Sequence, residues 1–225
     1  MIGIFDSGVG GICAYRAVRR LLPREDIIYL ADRKNAPYGT KSEDEIALLT
    51  ERNIRLLNSV GASRVLIACC TASSVYDRLP EEVRKIGVPI IRPAAKIAAQ
   101  LGCSIAVIAT ERTADSHAFK QEITALADSP VTEWAEQRLV SLIEGGCRDG
   151  RTNPECEEIL GKICERVRLL NAGGLVLGCT HFSHLKWEFS KRLPKVKIIS
   201  PAHVGAHEIA DMTVLRRGRG RDIYM

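Results

Sequence analysis

The chain has 225 residues, of which 46% are hydrophobic and 26% are charged, a composition typical of a soluble globular protein. No apolar run approaches the length that spans a bilayer, and the N-terminus lacks the segments of an export signal, so we expect a cytoplasmic protein without a membrane partner. At this length the chain can form one large α/β domain or two smaller ones, and either folds without disulfide bonds.

Positive charge is concentrated at the C-terminus. The formal net charge is +5, and Arg216, Arg217, Arg219 and Arg221 all lie in the last ten residues. Because the rest of the chain is nearly neutral, the sequence favours a disordered, solvated tail over a nucleic-acid-binding segment. A contact between this tail and a phosphate backbone stays an open alternative.

The eight cysteines lack the spacing of a disulfide framework or of a structural metal site. Cys69 and Cys70 are adjacent, which is poor geometry for a disulfide. Cys147, Cys156 and Cys164 lack the C-x2-C pairing of zinc sites. We therefore expect reduced thiols and no bound metal.

The first predicted strand and helix enclose a glycine-rich turn. The strand covers Ile2 to Phe5, the turn residues 6–11, and the helix Ile12 to Leu22, where apolar residues recur at helical spacing. Such a turn favours anions, because free backbone N–H groups at the helix start point at whatever lies above it.

A dinucleotide site is the alternative interpretation of this turn. The second predicted strand, Ile27 to Ala31, ends at Asp32, about twenty residues after the glycines, as in a dinucleotide fingerprint. The glycines, however, run G-x-G-G, and Asp6 at the first turn position would repel a pyrophosphate. Nucleotide binding is therefore not favoured.

The third predicted strand, Val65 to Ala68, stops at Cys69. A helix from Ser42, which begins a capping box, to about Val60 precedes it. In a 2-1-3 strand order the first strand lies between the second and the third. Asp6, Asp32 and Cys69 would then meet at one edge of the sheet.

The rest of the chain repeats this strand and helix pattern and predicts a second lobe. The predicted helices are Ser73 to Lys85 (interrupted at Pro80), Ala94 to Gln100, Ala118 to Ala127, about Glu136 to Ile143, about Pro154 to Leu170 and Pro201 to Asp211. The predicted strands are Val88 to Ile91, Ser104 to Ala109, the apolar run before Cys179 and Lys195 to Ile199, with a polar turn at Thr110 to Ser116. Arg92-Pro93 is predicted to connect the lobes, which comprise residues 1–93 with about 200–225, and residues 94–199.

Two of the predicted strands end at a thiol that is followed by a hydroxyl residue. Cys69 is separated from Thr71 by one residue, and Cys179 directly precedes Thr180. In open α/β sheets ligands bind at the carboxyl ends of strands, so thiols placed there belong to a site rather than to a core. A cysteine alone is usually a small buried hydrophobe, but the matching contexts indicate a functional pair.

Four segments carry a resemblance to a known family. They are Asp6-Ser7-Gly8-Val9-Gly10-Gly11, Asp32 ahead of Pro37-Tyr38-Gly39, Ala68-Cys69-Cys70-Thr71-Ala72-Ser73, and Leu177-Gly178-Cys179-Thr180-His181. Together, in this order, they resemble the glutamate racemases, cofactor-independent members of the aspartate/glutamate racemase superfamily. The resemblance implies an α/β fold of two pseudo-symmetric, doubly wound parallel-sheet lobes with the active site between them. It also implies interconversion of L- and D-glutamate without cofactor, a supply of D-glutamate for peptidoglycan, and a homodimer.

The resemblance assigns roles to individual residues. Cys69 matches the base that acts on D-glutamate and Cys179 the base that acts on L-glutamate, and Asp6, Glu144 and His181 match groups that assist them. The substrate-binding positions that it implies are Ser7, Asp32, Pro37, Tyr38, Gly39, Cys70, Thr71, Thr113 and Thr180. The chemistry is consistent, because inverting a Cα centre needs a base on one face and an acid on the other.

The sequence departs from the family pattern at several positions. Cys70 stands where the family usually has an asparagine that contacts substrate, and a thiol hydrogen-bonds weakly. Further departures are Arg112, Phe182-Ser183-His184 and Ser200. Two alternatives to a glutamate racemase therefore stay open: a racemase for aspartate or another amino acid, and a non-catalytic paralogue with a binding or regulatory role.

Overall fold

The computed structural model describes residues 1–213 and 220–225, which fold around two parallel β-sheets. The strands are β1 (Ile2–Asp6), β2 (Ile27–Ala31), β3 (Arg64–Ile67), β4 (Gly87–Pro89), β5 (Ile105–Ala109), β6 (Val131–Ala135), β7 (Gly174–Gly178), β8 (Lys197–Ile199) and β9 (Asp222–Tyr224). The first sheet has the order β4-β3-β1-β2-β9 and the second the order β6-β5-β7-β8. Two parallel-sheet α/β lobes, as expected, make up the fold.

Helices connect the parallel strands. They are α1 (Ile12–Leu21), α2 (Glu43–Ser59), α3 (Cys70–Ser73), α4 (Glu81–Arg84), α5 (Ile91–Ala99), α6 (Glu111–Asp115), α7 (Ala118–Thr124), α8 (Gln137–Glu144), α9 (Pro154–Leu169), α10 (Lys186–Arg192) and α11 (Pro201–Asp211). Among the described residues, no helix combines the length and apolarity that crossing a membrane requires.

Local sequence explains where the main helices begin. The Ser42 hydroxyl accepts a hydrogen bond from the backbone N–H of Glu45 at 3.2 Å, which satisfies one of the free donors at the start of α2. Asn153 caps α9 in the same way through the N–H of Cys156, and Pro154 and Pro201 occupy the first turns of α9 and α11, where a missing N–H costs nothing.

The first sheet brings the expected strand ends together. In the register of β1, Phe5 is paired with Leu30 of β2 and with Ile67 of β3. All five residues of β1 are buried, as is usual for a parallel strand covered on both faces. Asp6, Asp32 and Cys69 therefore follow neighbouring strands at one sheet edge.

One hydrophobic cluster joins the two sheets. It contains Leu66 of β3, Val107 of β5 and Val176 of β7, together with the fully buried alanines of α5 and α11. Small side chains let these helices pack closely against both sheets. Arg92 and Pro93, expected in a connection between lobes, lie in the first turn of α5. The boundary at residue 93 stays a prediction.

Three local predictions were wrong. Thr110 to Ser116, predicted as a polar turn, contains the short helix α6. The predicted helix Ser73 to Lys85 is broken into α3, a 3-10 turn at Tyr76–Arg78 and α4. Val88 to Ile91, predicted as a strand, ends as a strand at Pro89, and its last residue begins α5.

Residues 222–224, where the charge pattern favoured a disordered tail, form an exposed edge strand. β9 pairs in parallel with β2. Arg19 donates to the carboxylate of Asp222, and the hydroxyl of Tyr224 donates to that of Tyr15 at 2.8 Å. Arg221 pairs with Asp26 at 2.9 Å. The tail residues Arg216, Arg217 and Arg219 lie outside the described residues.

Candidate active site

A small cavity of about 60 Å³ lies where strands of both sheets end. It is lined by Ser7, Gly8, Ala36, Pro37, Tyr38, Gly39, Cys69, Cys70, Thr71, Thr110, Gln137, Val140, Glu144, Cys179, Thr180 and His181. Every residue that the sequence singled out is in this lining except Asp6, Asp32 and Thr113. The cavity is therefore the candidate active site.

Cys69 follows β3 and begins the short helix α3. Its Sγ accepts a hydrogen bond from the backbone N–H of Ala72 at 3.5 Å and lies 3.4 Å from the hydroxyl oxygen of Ser7. The thiol is 5% exposed, and burial raises its pKa to about 11, with the nearby Asp6 carboxylate contributing to the rise. Hydrogen bonds from Ser7 and Ala72 oppose that rise by stabilising the thiolate.

Cys179 follows β7 in the second sheet and has a histidine beside it. Its Sγ lies 3.7 Å from Nδ1 of His181, whose Nε2 lies 3.1 Å from Oε1 of Glu144. Burial raises the pKa of the Cys179 thiol, and backbone N–H groups of His181 and Phe182 oppose this rise. The arrangement connects the thiol through an imidazole to a half-exposed carboxylate at the end of α8.

Asp6 lies beneath the cavity, fully buried, and links the two sheets. Its Oδ1 accepts from the backbone N–H of Gly8 at 2.8 Å, and its Oδ2 accepts from the hydroxyl of Thr180 at 3.1 Å. The second bond joins the last residue of β1 to a residue that follows β7, in the other sheet. Asp6 therefore holds Thr180, and with it the segment that carries Cys179, against the first sheet.

Three threonine hydroxyls from the segments after β3 and β5 form a buried cluster. Thr71 Oγ1 lies 2.9 Å from Thr113 Oγ1 and 3.3 Å from Thr110 Oγ1. Thr113 contacts the cavity only through its neighbours Thr71 and Thr110. This cluster fixes the hydroxyls of Thr71 and Thr110, which do line the cavity.

Asp32 lies outside the cavity lining, and its carboxylate is fully engaged. Oδ2 accepts from the hydroxyl of Tyr38 at 2.6 Å, from Asn53 at 3.0 Å and from Arg52 at 3.0 Å. Oδ1 accepts from Asn35 at 2.7 Å. Asp32 therefore orients Tyr38, which is 1% exposed.

Gly10 allows the turn after β1 to approach the segment after β7. A Cβ atom at this position would lie 2.6 Å from Thr180 Oγ1 and 2.7 Å from His181 Nδ1. Both separations are far shorter than van der Waals contact. The glycine-rich turn thus serves close packing between the two halves of the site.

Several lining residues were not predicted from sequence. Thr110 follows β5, so the rule that placed the thiols at strand ends applies to it too. Gln137 and Val140 lie on α8, and no local pattern distinguishes them from other helical residues. Elsewhere in the chain, within residues 1–213 and 220–225, no cluster of three or more His, Cys, Asp or Glu side chains is arranged to hold a metal ion.

The fold and the paired thiols can be compared with known proteins. The sequence model of the Asp/Glu/hydantoin racemase family matches residues 13–209. The chain belongs to this family. As a member of a racemase family it is an isomerase.

Its relatives are similar over nearly the whole chain. A glutamate racemase of Desulforudis audaxviator is 36% identical over 98% of this chain and 81% of its own length. A crystal structure of the Francisella tularensis glutamate racemase in complex with D-glutamate superposes with a TM-score of 0.86 at 27% identity, covering 99% of this chain and 86% of that one. A glutamate racemase isoform of Bacillus anthracis gives 0.84 at 26% identity, covering 100% and 86%.

Proposed function

We propose that this member of the racemase family interconverts L- and D-glutamate by a two-thiol mechanism at Cα. The observation that carries the proposal is that Cys69 and Cys179 follow strands of different sheets and line one cavity. Inversion needs a proton acceptor on one face of the substrate and a proton donor on the other. The names of the relatives support glutamate as the substrate.

With L-glutamate, the Cys179 thiolate removes the Cα proton, and the resulting carbanion receives a proton from the Cys69 thiol on the opposite face. This gives D-glutamate, a Cys179 thiol and a Cys69 thiolate, and the reverse direction exchanges the roles. One thiol must therefore be ionised while the other is not. The Cα–H bond of the substrate and the S–H bond of Cys69 break, and a new Cα–H bond and the S–H bond of Cys179 form.

Each thiol has neighbouring groups that stabilise its thiolate and so oppose the rise in pKa that burial causes. Ser7 and the Ala72 N–H contact Cys69, and His181 contacts Cys179 while Glu144 holds the imidazole. Thiolates are stabilised by neighbouring N–H groups and by imidazolium. We propose that His181 and Glu144 assist Cys179, and that Asp6 assists mainly through its bond to Thr180.

The substrate carboxylates would be held by hydroxyl and backbone N–H donors. Ser7, Thr71 and Thr180 supply hydroxyls in the lining, and Tyr38, Gly39 and Thr110 lie beside them. Donors that are fixed before the reaction stabilise charge that builds on the α-carboxylate when the proton leaves. The threonine cluster and the bond from Asp32 to Tyr38 fix several of these groups.

We further propose that the D-glutamate supplies peptidoglycan synthesis in the cytoplasm and that the protein acts as a homodimer. The alternative substrate is aspartate or another amino acid, and it rests on Cys70, a thiol in the cavity lining that gives weaker hydrogen bonds than an amide would.

The test is a substrate panel with the purified protein, a thiol reductant and no added cofactor. Loss of optical rotation from L-glutamate and from D-glutamate, faster than from either aspartate enantiomer, supports the proposal. Faster turnover of aspartate or another amino acid would show that this amino acid, and not glutamate, is the preferred substrate. Absence of racemisation across the panel would contradict the activity.

A further inference from the structure

The charged side chains in and next to the cavity are unfavourable for a substrate with two carboxylates. Its lining, within the described residues, includes no lysine or arginine, whereas it includes Glu144. The carboxylate of Asp6 accepts a hydrogen bond from Thr180, which lines the cavity. An amino acid that carries two carboxylates therefore approaches a site whose fixed charges oppose it.

A second, more open cavity of about 380 Å³ adjoins the first. Gly8, Ala36 and Glu144 line both cavities, and Val9 and Arg33 complete the second. Glu144 is 54% exposed, so the shared wall reaches solvent. The second cavity is thus a vestibule to the candidate active site.

Arg33 brings a positive charge to the wall of this vestibule. It is exposed and is the first residue of a 3-10 turn that Asp32 precedes. The hydrogen bonds from Asn35 and Tyr38 to Asp32 fix the backbone of the segment that contains Arg33. Its guanidinium forms no hydrogen bond or ion pair with the described residues, so its donors are free to receive a carboxylate.

The neighbouring Lys34 has the same charge and is also exposed, but it lines neither cavity. A general effect of positive surface charge would act through both residues. An effect that depends on the vestibule would act through Arg33 alone.

We propose that Arg33 is a specificity-determining residue that pairs with a carboxylate of the incoming substrate in the vestibule and so favours amino acids with two carboxylates. The inference rests on the proposed function. A guanidinium presents two parallel N–H groups that match a carboxylate. Because the pair forms outside the thiol-lined cavity, it raises the rate of productive binding and leaves the proton transfers unchanged.

The first experiment compares Arg33→Gln with Lys34→Gln in the glutamate racemisation assay. We expect Arg33→Gln to lower kcat/KM about three- to tenfold at low ionic strength through KM, with kcat retained. The loss should shrink in about 0.5 M salt, where charges are screened within a few ångströms. Arg33→Lys should restore most of the loss, and Lys34→Gln should change kcat/KM less than twofold.

A second readout does not depend on racemisation and separates the two proposals. Iodoacetate and iodoacetamide both alkylate thiols, but only iodoacetate is an anion. Their rates at Cys69, followed by mass spectrometry of its peptide, should give an iodoacetate-to-iodoacetamide ratio that falls about three- to tenfold in Arg33→Gln and stays constant in Lys34→Gln.

The outcomes are distinct. An inactive wild-type protein with a shifted alkylation ratio would contradict the proposed function and support the role of Arg33. An active wild-type protein whose kinetics and alkylation ratio respond equally to both substitutions, or to neither, would overturn the role of Arg33. A loss of kcat with unchanged KM in Arg33→Gln would also overturn it.

Discussion

At the scale of the residue, the two thiols are both buried but are contacted by different side chains. Cys69 is contacted by a hydroxyl and a backbone N–H, whereas Cys179 is contacted by an imidazole. Burial raises the pKa of both thiols. Proton transfer at Cα therefore depends on groups that stabilise one thiolate at a time.

Replacing either thiol by serine should abolish racemisation. Cys69→Ser and Cys179→Ser keep the size of the side chain but supply a far weaker base at neutral pH, so we expect kcat to fall by at least about a hundredfold. The thermal midpoint should change little. Cys103→Ser is the matched control, because this half-buried thiol lies outside the cavity lining. Wild-type turnover in either active-site variant would refute the assignment.

The sequence predicted which residues gather at the candidate site better than it predicted which of them line the cavity. Strand ends located Cys69 and Cys179, because a parallel sheet collects ligands at that edge. Asp32, expected among the substrate-binding residues, lies outside the cavity lining and accepts a hydrogen bond from Tyr38, and the sequence does not reveal this side-chain direction. Gln137 reaches the cavity from α8, and only the packing of α8 reveals that.

At the scale of the element, the turn between β1 and α1 is packed against the segment after β7. Gly10 provides the close approach, and the bond between Thr180 and Asp6 secures it. The sequence indicated an anion-binding turn here. The tertiary structure shows that Gly10 also lets the two halves of the site pack closely.

Substituting Gly10 should disturb the site through this packing. In Gly10→Ala the added Cβ would meet Thr180 and His181, so we expect a strong loss of kcat and a stability cost of about 1–3 kcal/mol. Gly161→Ala is the control, because Gly161 lies within α9 with nothing within 4 Å of the added Cβ. That change should stabilise the protein by about 0.5–1 kcal/mol. Equal activity of both variants in kcat measurements would contradict the packing role.

The edge strand β9 shows why charge patterns alone mispredict a terminus. The arginine-rich segment suggested a disordered terminus, but its last residues, Asp222–Tyr224, pair with β2, and Arg19 forms a salt bridge with Asp222. Short strands depend on backbone pairing and on partners far away in the chain. Such partners cannot be recognised from the local sequence.

At the scale of the whole molecule, the two sheets share one hydrophobic cluster and one cavity. Helices α5 and α11 pack between them. The cysteines are part of this buried interior: burial raises the pKa of Cys69, Cys70 and Cys179 in the folded protein. Protonated thiols are therefore favoured by folding, which links stability to pH.

The free energy of unfolding should fall in alkaline solution. Folded-state thiol pKa values lie above the unfolded value of about 8.5, so their contribution is complete below that pH and is lost as pH rises toward about 11, where Cys69 ionises. The expected slope is about 1.4 kcal/mol per pH unit for each such thiol. Urea denaturation at pH 8 and pH 10 measures it, and a smaller slope in Cys69→Ser is expected. Equal stability at both pH values would contradict the assignment.

The central claim is that two thiols act from opposite faces of the substrate, and labelling during turnover tests it directly. L-glutamate is incubated with the protein in D₂O and followed by NMR and chiral separation at low conversion. The account predicts deuterium at Cα in the D-glutamate formed, because the Cys69 thiol has exchanged with D₂O and delivers a deuteron, while the remaining L-glutamate stays protiated. Early deuterium in both enantiomers, or D-glutamate that retains its original proton, would contradict the two-thiol mechanism.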